Sequence, residues 1–167
     1  FSTLNLAANA TVTLDGAQTI GHLIFADTTP DFNWIINAGS AGPLTLSSTN
    51  GPAITVSNQT TIINTPVAGS QGLTKDGSGT LTLNGATYSG TTRVYAGTLE
   101  QLAKSGDVPY IVTNGATLKI GYTTGGGYAG PVIAIVGAGA AGLATAIFAA
   151  RRGAKGPIVL FDGAARP

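Results

Sequence analysis

The sequence has no cysteine, and few of its residues carry a charge. Without cysteine, neither a disulfide framework nor a thiolate metal site can form, so zinc-finger and thiol chemistry are excluded. The formal net charge is only +1, from 8 basic and 7 acidic residues, and no basic stripe runs along the chain. Bulk charge therefore attracts neither nucleic acid nor an anionic membrane, and we expect no nucleic-acid partner.

Charged residues make up 9% of the chain, whereas 25 of its 167 residues are glycine. Glycine and asparagine tolerate the positive φ angles of tight turns, and threonine favours an extended backbone. A composition rich in Gly, Thr, Asn and Ser therefore predicts short strands joined by tight turns. The length suffices for one domain with a continuous core, or for one domain and a fragment of another.

Composition and charge change near the glycine run at residues 125–130. Residues 1–128 carry four basic and six acidic side chains, whereas the alanine-rich residues 129–167 carry four basic and one acidic. We therefore divide the chain into a first region, residues 1–128, and a second, residues 129–167. The chain begins at Phe1 without methionine or a signal-peptide pattern, so we expect a processed product or a fragment.

Four segments of the chain repeat a small residue followed by alternating apolar and threonine-like positions. They are Ala10–Leu14, Gly42–Leu46, Gly79–Leu83 and Ala116–Ile120. Their central apolar residues are 32, 37 and 37 residues apart, a spacing typical of repeat architectures. Short strands also recur in β-sandwiches, but near-identical stacked turns place Leu, Ile and Val in inward ladders and Thr and Asn in outward ones. We predict an all-β fold, a parallel β-solenoid or β-helix.

Residues 72–99 read GLTKDGSGTLTLNGATYSGTTRVYAGTL. This segment closely resembles the autotransporter-associated β-strand repeat, also called the passenger-associated transport repeat. Arg93 replaces a common Thr and Ala86 a position often held by Asn. Residues 1–71 and 109–124 look like degenerate flanking turns. The resemblance implies a right-handed parallel β-helix in a long secreted or surface-displayed bacterial protein, with a role in extension, adhesion or passenger export rather than catalysis.

The second region has the order of a dinucleotide-binding βαβ unit. An apolar run at 131–136 precedes the GxGxxG sequence at 137–142, an alanine-rich helix is predicted over 143–152, and a second apolar run at 157–161 leads to Asp162. The segment resembles the N-terminal FAD-binding segment of Rossmann-fold flavoprotein oxidoreductases. The resemblance implies that Gly137, Gly139 and Gly142 face a pyrophosphate, and that Asp162 faces the adenosine ribose.

A βαβ unit of this size is too small to bury its own core, so we do not expect it to bind a flavin independently. Residues 132–150 contain no charge and are long enough to span a membrane, but their Gly and Ala content makes them only weakly hydrophobic. The interpretation that we favour is structural. We predict that residues 129–167 form a strand–helix–strand cap over the exposed last turn of the solenoid.

Three side chains are candidates for catalysis. His22 is the single histidine, and Asp27 and Asp31 are the closest pair of carboxylates in the sequence. A small hydrolase acting on a carbohydrate or lactone would use these residues, with Asp27 and Asp31 as acid and base or as Ca²⁺ ligands. The competing interpretation is that His22 is an outward strand residue and that both aspartates lie in a solvated loop.

We therefore expect a non-enzymatic solenoid segment located outside the bacterium or on its surface. Its expected partner is an extracellular glycan or another surface molecule, and the solenoid edges offer a route to oligomers by stacking. We expect no resident cofactor, with Ca²⁺ or FAD as the alternatives that the hydrolase and oxidoreductase hypotheses require.

Overall fold

A computed structural model describes residues 4–27, 29, 31–39, 42–103, 108–113 and 115–120, together with the backbones of two later strands, 133–136 and 158–161. These residues contain sixteen β-strands and no helix. The strands are β1 (Ala10–Leu14), β2 (Gln18–Ile20), β3 (His22–Phe25), β4 (Trp34–Ala38), β5 (Leu44–Leu46), β6 (Ala53–Val56), β7 (Thr60–Ile63), β8 (Val67–Gly69), β9 (Leu73–Asp76), β10 (Thr80–Leu83), β11 (Thr92–Val94), β12 (Thr98–Gln101), β13 (Tyr110–Val112), β14 (Thr117–Ile120), β15 (Ile133–Val136) and β16 (Ile158–Phe161).

Fourteen of these strands stack into three parallel sheets. Sheet A has the order β1-β4-β7-β10-β12-β14, sheet B the order β2-β5-β8, and sheet C the order β13-β11-β9-β6-β3. The chain passes from A to B to C and returns to A, and sheet B continues in the fourth turn as a single bridge between Val67 and Ala86. The fold is thus a parallel β-solenoid of about five turns, as predicted.

The strand register gives the length of each turn. In sheet A, Trp34 pairs with Ala10 and with Thr61, so the first two turns take 24 and 27 residues. The next three turns take 20, 18 and 19 residues, since Thr80 pairs with Thr60 and with Thr98, and Thr98 pairs with Thr117. The extra residues of the early turns lie in the corners between strands, and the strands themselves stay in register.

The spacing of 32 to 37 residues, which indicated a repeat architecture, is therefore not the length of one turn. The 37 residues that separate Leu81 from Leu118 cover two turns of sheet A. Leu44 lies in sheet B, whereas Val12 and Leu81 lie in sheet A, so the other two spacings join different sheets. The four segments look alike because strands in both sheets bury alternate residues and so show the same alternation of apolar residues and Thr.

Inward side chains stack into apolar columns, as predicted. In sheet A one column contains Val12, Ile36, Ile63 and Leu83, of which the last three are buried. Adjacent strands are only about 4.8 Å apart, so each side chain packs directly against its counterparts in the neighbouring turns. The core is consequently continuous along the solenoid.

The predicted outward asparagine ladder is present on sheet A. Asn64 Nδ2 donates a hydrogen bond to Asn37 Oδ1 at 2.6 Å, and Asn84 Nδ2 donates one to Asn64 Oδ1. The three amides thus form a hydrogen-bonded chain across successive turns, a pattern typical of stacked parallel strands.

The boundary at 125–130 and the helix predicted over 143–152 lie outside the described residues, so the predicted helical cap is not seen. Both predicted apolar runs of the second region do contain strands, β15 and β16, which pair in parallel with Ile133 opposite Ile158. Strand β15 lies beside β13 of the solenoid. The division into residues 1–128 and 129–167 stays a prediction.

Candidate functional site

The regular segment from β9 to β12 contains a fully buried lysine. Lys75 occupies an inward column of sheet C between Ile54 and Val94, a position where an apolar side chain is expected. Its Nζ donates three hydrogen bonds, to the carbonyl oxygens of Asp76 at 2.8 Å, Gly77 at 2.7 Å and Ala96 at 3.0 Å. All three ammonium protons are therefore used, and Lys75 joins the corners of two successive turns.

Burial lowers the pKa of Lys75 to about 8, because the charged form loses its hydration, and the nearby Asp76 carboxylate partly opposes this change. The carbonyls converge on Nζ because the corner after β9 is only three residues long. Gly77 adopts a φ of +79°, and a Cβ there would lie 2.3 Å from the carbonyl oxygen of Val56 in the preceding turn. Only glycine permits so close a stack.

A second buried polar group links the fourth and fifth turns. The Tyr88 hydroxyl lies 2.9 Å from Thr92 Oγ1 and accepts a hydrogen bond from Gln101 Nε2. Gln101 Oε1 accepts in turn from the Tyr110 hydroxyl at 2.8 Å. Burial raises the pKa of Tyr88 to about 12, although the hydrogen bonds from its neighbours work in the opposite direction. The interior of these turns is thus held partly by a continuous polar chain.

The structure places His22 and the two candidate aspartates in different surroundings. His22 is an exposed outward residue of β3, as the structural interpretation predicted, and its Nε2 lies 3.3 Å from Ser48 Oγ of the next turn. Asp27 follows the end of the same strand but is 7% exposed. No hydrogen bond within the described residues joins His22 to either aspartate, so the structure does not assemble a Ser-His-Asp arrangement from them.

Asp27 anchors the N-terminal segment. Its Oδ1 accepts hydrogen bonds from the backbone N–H groups of Leu6 at 3.2 Å and Thr29 at 3.4 Å, while its Oδ2 is buried and has no hydrogen-bond partner among the described residues. Asp31 is exposed, and its backbone N–H donates to the carbonyl oxygen of Thr29 at 2.7 Å. Among the described residues, no group of three or more His, Asp or Glu side chains is arranged to hold a metal. The hydrolase and Ca²⁺ roles of these residues stay predictions.

The residues predicted to bind a dinucleotide, namely Gly137, Gly139, Gly142 and Asp162, lie outside the described residues. The parallel pairing of β15 and β16 is the arrangement that a βαβ unit requires, but it is also the arrangement of two solenoid strands. FAD binding at this segment therefore stays a prediction.

The outward side of sheet C carries several exposed apolar side chains. We call it the C face; its side chains include His22, Ile24, Ala53, Thr55, Thr74, Asp76, Arg93, Tyr95 and Ile111. Five large apolar or aromatic side chains are exposed in the described part of the chain, and three of them are on this face: Ile24 at 49%, Tyr95 at 48% and Ile111 at 47%. Sequence reasoning missed this concentration, because it shows only once the register brings distant strands together.

Parallel turns, stacked amides and corners that require glycine define a repeat-built β-solenoid. Comparison with known families agrees with that class, since residues 73–100 match the Passenger-associated-transport-repeat. The repeat thus runs from β9 to the third residue of β12 and includes Lys75, Tyr88 and the glycines of both corners, so the predicted resemblance is confirmed.

The chain is also similar to a named adhesin. It is 44% identical over 90 residues to the Adhesin BmaC autotransporter of Brucella suis biovar 1 (strain 1330). The alignment covers 53% of this chain but only 2% of that protein. No solved structure matches the chain. These comparisons do not support the Rossmann resemblance of the second region. Within the described residues, no helix combines the length and apolar character that crossing a membrane requires.

Proposed function

We propose that this chain is a segment of an autotransporter passenger, secreted to or displayed on the bacterial surface, and that its solenoid serves adhesion. The observation that carries the proposal is the position of the transport repeat. Residues 73–100 form the most regular turns of the solenoid, and their motif residues are those that hold neighbouring turns together. The likeness to an autotransporter adhesin supports the same role.

A rigid solenoid suits this role because each turn depends only on its neighbours. Stacking extends the structure along one axis without a wider core, so added turns hold the binding surface farther from the membrane. Stability comes from stacking and hydrogen bonds, and it needs no disulfide.

The proposal is tested by displaying the whole 167-residue chain between a signal peptide and the translocator of an autotransporter. We expect an epitope tag on the chain to be labelled on intact cells, and these cells to adhere to host cells several-fold better than cells carrying the translocator alone. Absence of surface label contradicts the passenger role. Surface label without added adhesion contradicts the adhesive role.

A matched control distinguishes the folded solenoid from an unfolded chain. In Gly97→Val the new side chain begins with a Cβ that would lie 2.4 Å from the carbonyl oxygen of Gly79. We expect this variant to lose adhesion when compared at equal surface label. Equal adhesion of the variant and the parent chain shows that adhesion does not depend on the stacked turns.

We also infer that the solenoid winds right-handed and that residues 129–167 cover its C-terminal end. Parallel crossover connections are almost always right-handed. At that end Ala116 and Leu118 are only partly buried, and β15 lies beside β13. Truncation after Ile120 is therefore expected to lower the urea midpoint of unfolding, whereas an unchanged midpoint contradicts the cap.

A further inference from the structure

Arg93 places a positive charge on the C face. It lies between Thr74 and Ile111 in adjacent strands, and its side chain is half-buried. In the described part of the chain, no ion pair or hydrogen bond engages its guanidinium. A planar guanidinium held in place by its neighbours is suited to bind a carboxylate through two parallel hydrogen bonds.

Two exposed side chains flank this guanidinium. Tyr95 follows Arg93 on the same side of the chain, and Ile111 occupies the next turn. Thr113 Oγ1 donates to the carbonyl oxygen of Tyr95 at 2.7 Å, which fixes the backbone that carries the ring. The exposed phenol thus offers an apolar ring and a hydroxyl at the surface of the sheet.

We propose that Arg93, Tyr95 and Ile111 form a binding site for a carboxylated sugar of an extracellular glycan, a site that specifies the partner of the adhesive role proposed above and rests on it. The guanidinium pairs with the sugar carboxylate. The Tyr95 ring packs against the apolar face of the pyranose, and Ile111 shields the ion pair from water on one side. Charge complementarity selects the acidic sugar over a neutral one.

Asp76 allows the effect of a nearby negative charge on ligand binding to be tested. It neighbours Tyr95 in the preceding turn, and the strand geometry places its Cα roughly 8 Å from that of Arg93. Its carboxylate repels an anionic ligand, so removing that charge is expected to strengthen binding. Asp76→Ser is the suitable change, because a serine hydroxyl can still accept the hydrogen bond that Asp76 Oδ1 receives from the Gly77 N–H.

The test is calorimetric titration of the full chain with trigalacturonate, with galactotriose as the uncharged match. We expect binding of trigalacturonate only, weakened by added salt. Arg93→Gln should weaken it about tenfold or more, and Tyr95→Ala about fivefold. Asp76→Ser should strengthen it about twofold. Lys119→Gln is the control: it removes one positive charge from an exposed position of sheet A, away from the C face, and should leave the affinity unchanged.

Four results overturn the site: no detectable binding of trigalacturonate, equal binding of both sugars, equal weakening by Arg93→Gln and Lys119→Gln, or weaker binding after Asp76→Ser. Circular dichroism and thermal melts of each variant show whether a loss reflects unfolding, and Arg93→Lys separates the charge from the bidentate geometry. Surface label and adhesion of cells displaying Arg93→Gln separate the two proposals. Full adhesion with lost sugar binding removes this site and leaves the adhesive role intact.

Discussion

Replacing Lys75 by methionine tests how the repeat holds its turns together. Methionine preserves most of the volume and removes the ammonium. Three partly buried carbonyl oxygens then lose their donor, which costs about 1–2 kcal/mol each, at the lower end of the usual penalty for an unpaired acceptor. In the other direction, the variant no longer buries a charge. The lowering of the Lys75 pKa from 10.5 to about 8 corresponds to a free-energy cost of about 3 kcal/mol for burying the charge.

The three carbonyl losses together at least offset the charge relief at pH 7, so we expect Lys75→Met to be less stable than the parent chain by up to about 3 kcal/mol. The difference should grow at higher pH. Lys75 has a lower pKa in the folded state than in the unfolded state, so between pH 8 and 10.5 the unfolded chain binds more protons and the folded parent gains stability as the pH rises. The methionine variant lacks this gain.

The assay is urea unfolding of both proteins, followed by circular dichroism at pH 7, 8, 9 and 10. The difference in unfolding free energy between the two proteins is expected to increase by about 2–3 kcal/mol over this range. Taking the difference cancels the titration of groups that both chains share. A difference independent of pH would falsify the inference that burying the charged Lys75 ammonium costs free energy through lost hydration.

Three further changes test other contacts. Tyr88→Phe should cost about 1–3 kcal/mol of stability at pH 7, because its buried hydrogen-bond partners are left unpaired. The Tyr88 pKa is raised from 10.0 to about 12, so the parent chain should become less stable as the pH rises between these values. The variant should not show this decrease, and a pH series of thermal melts measures the difference. Gly97→Ala should destabilise the protein by about 3 kcal/mol or more, because its φ is +63° and the new Cβ would collide with backbone atoms. Gly51 has a φ of +84° but lies in open space, so Gly51→Ala should cost only about 1 kcal/mol. Equal costs in urea unfolding would refute the steric explanation. Asn64→Ala breaks two ladder hydrogen bonds and should cost about twice as much as Asn84→Ala, which breaks one, and the reverse order in urea midpoints would contradict the ladder.

The sequence predicted the solenoid because alternation of apolar and Thr residues reports directly on which side chains face inward. Ile36, Ile63 and Leu83 follow that rule in successive turns. The length of a turn was not predictable from the same alternation, since a strand in sheet B shows the pattern of a strand in sheet A. Only pairing between specific strands distinguishes them.

The polar interior was not predictable for a different reason. Lysine, asparagine and glutamine are rarely buried, and a residue scale places all three outside. Lys75, Asn58 and Gln101 are buried because backbone or side-chain partners from a neighbouring turn satisfy them. Those partners are distant in sequence and come close only when the turns stack, so the sequence alone does not show that these polar side chains can be buried.

The apolar residues of the C face could not be grouped from the sequence because of the same dependence on register. Ile24, Tyr95 and Ile111 are isolated apolar residues in the sequence, and single exposed apolar residues are ordinary. Their common face appears only when strands β3, β11 and β13 are aligned in one sheet. The sequence did identify His22 as an outward strand residue, because apolar strand residues flank it and no nucleophile motif accompanies it.

The variable corners have a consequence for how such a chain changes over time. The longest turn takes 27 residues and the shortest takes 18, yet the stacked columns remain aligned. An insertion or deletion at a corner therefore alters only a local loop, whereas one inside a strand reverses which side chains face inward. Loops can be gained at the corners and whole turns can be added along the axis as independent events, so the reach of the protein and the chemistry at its surface are free to diverge separately.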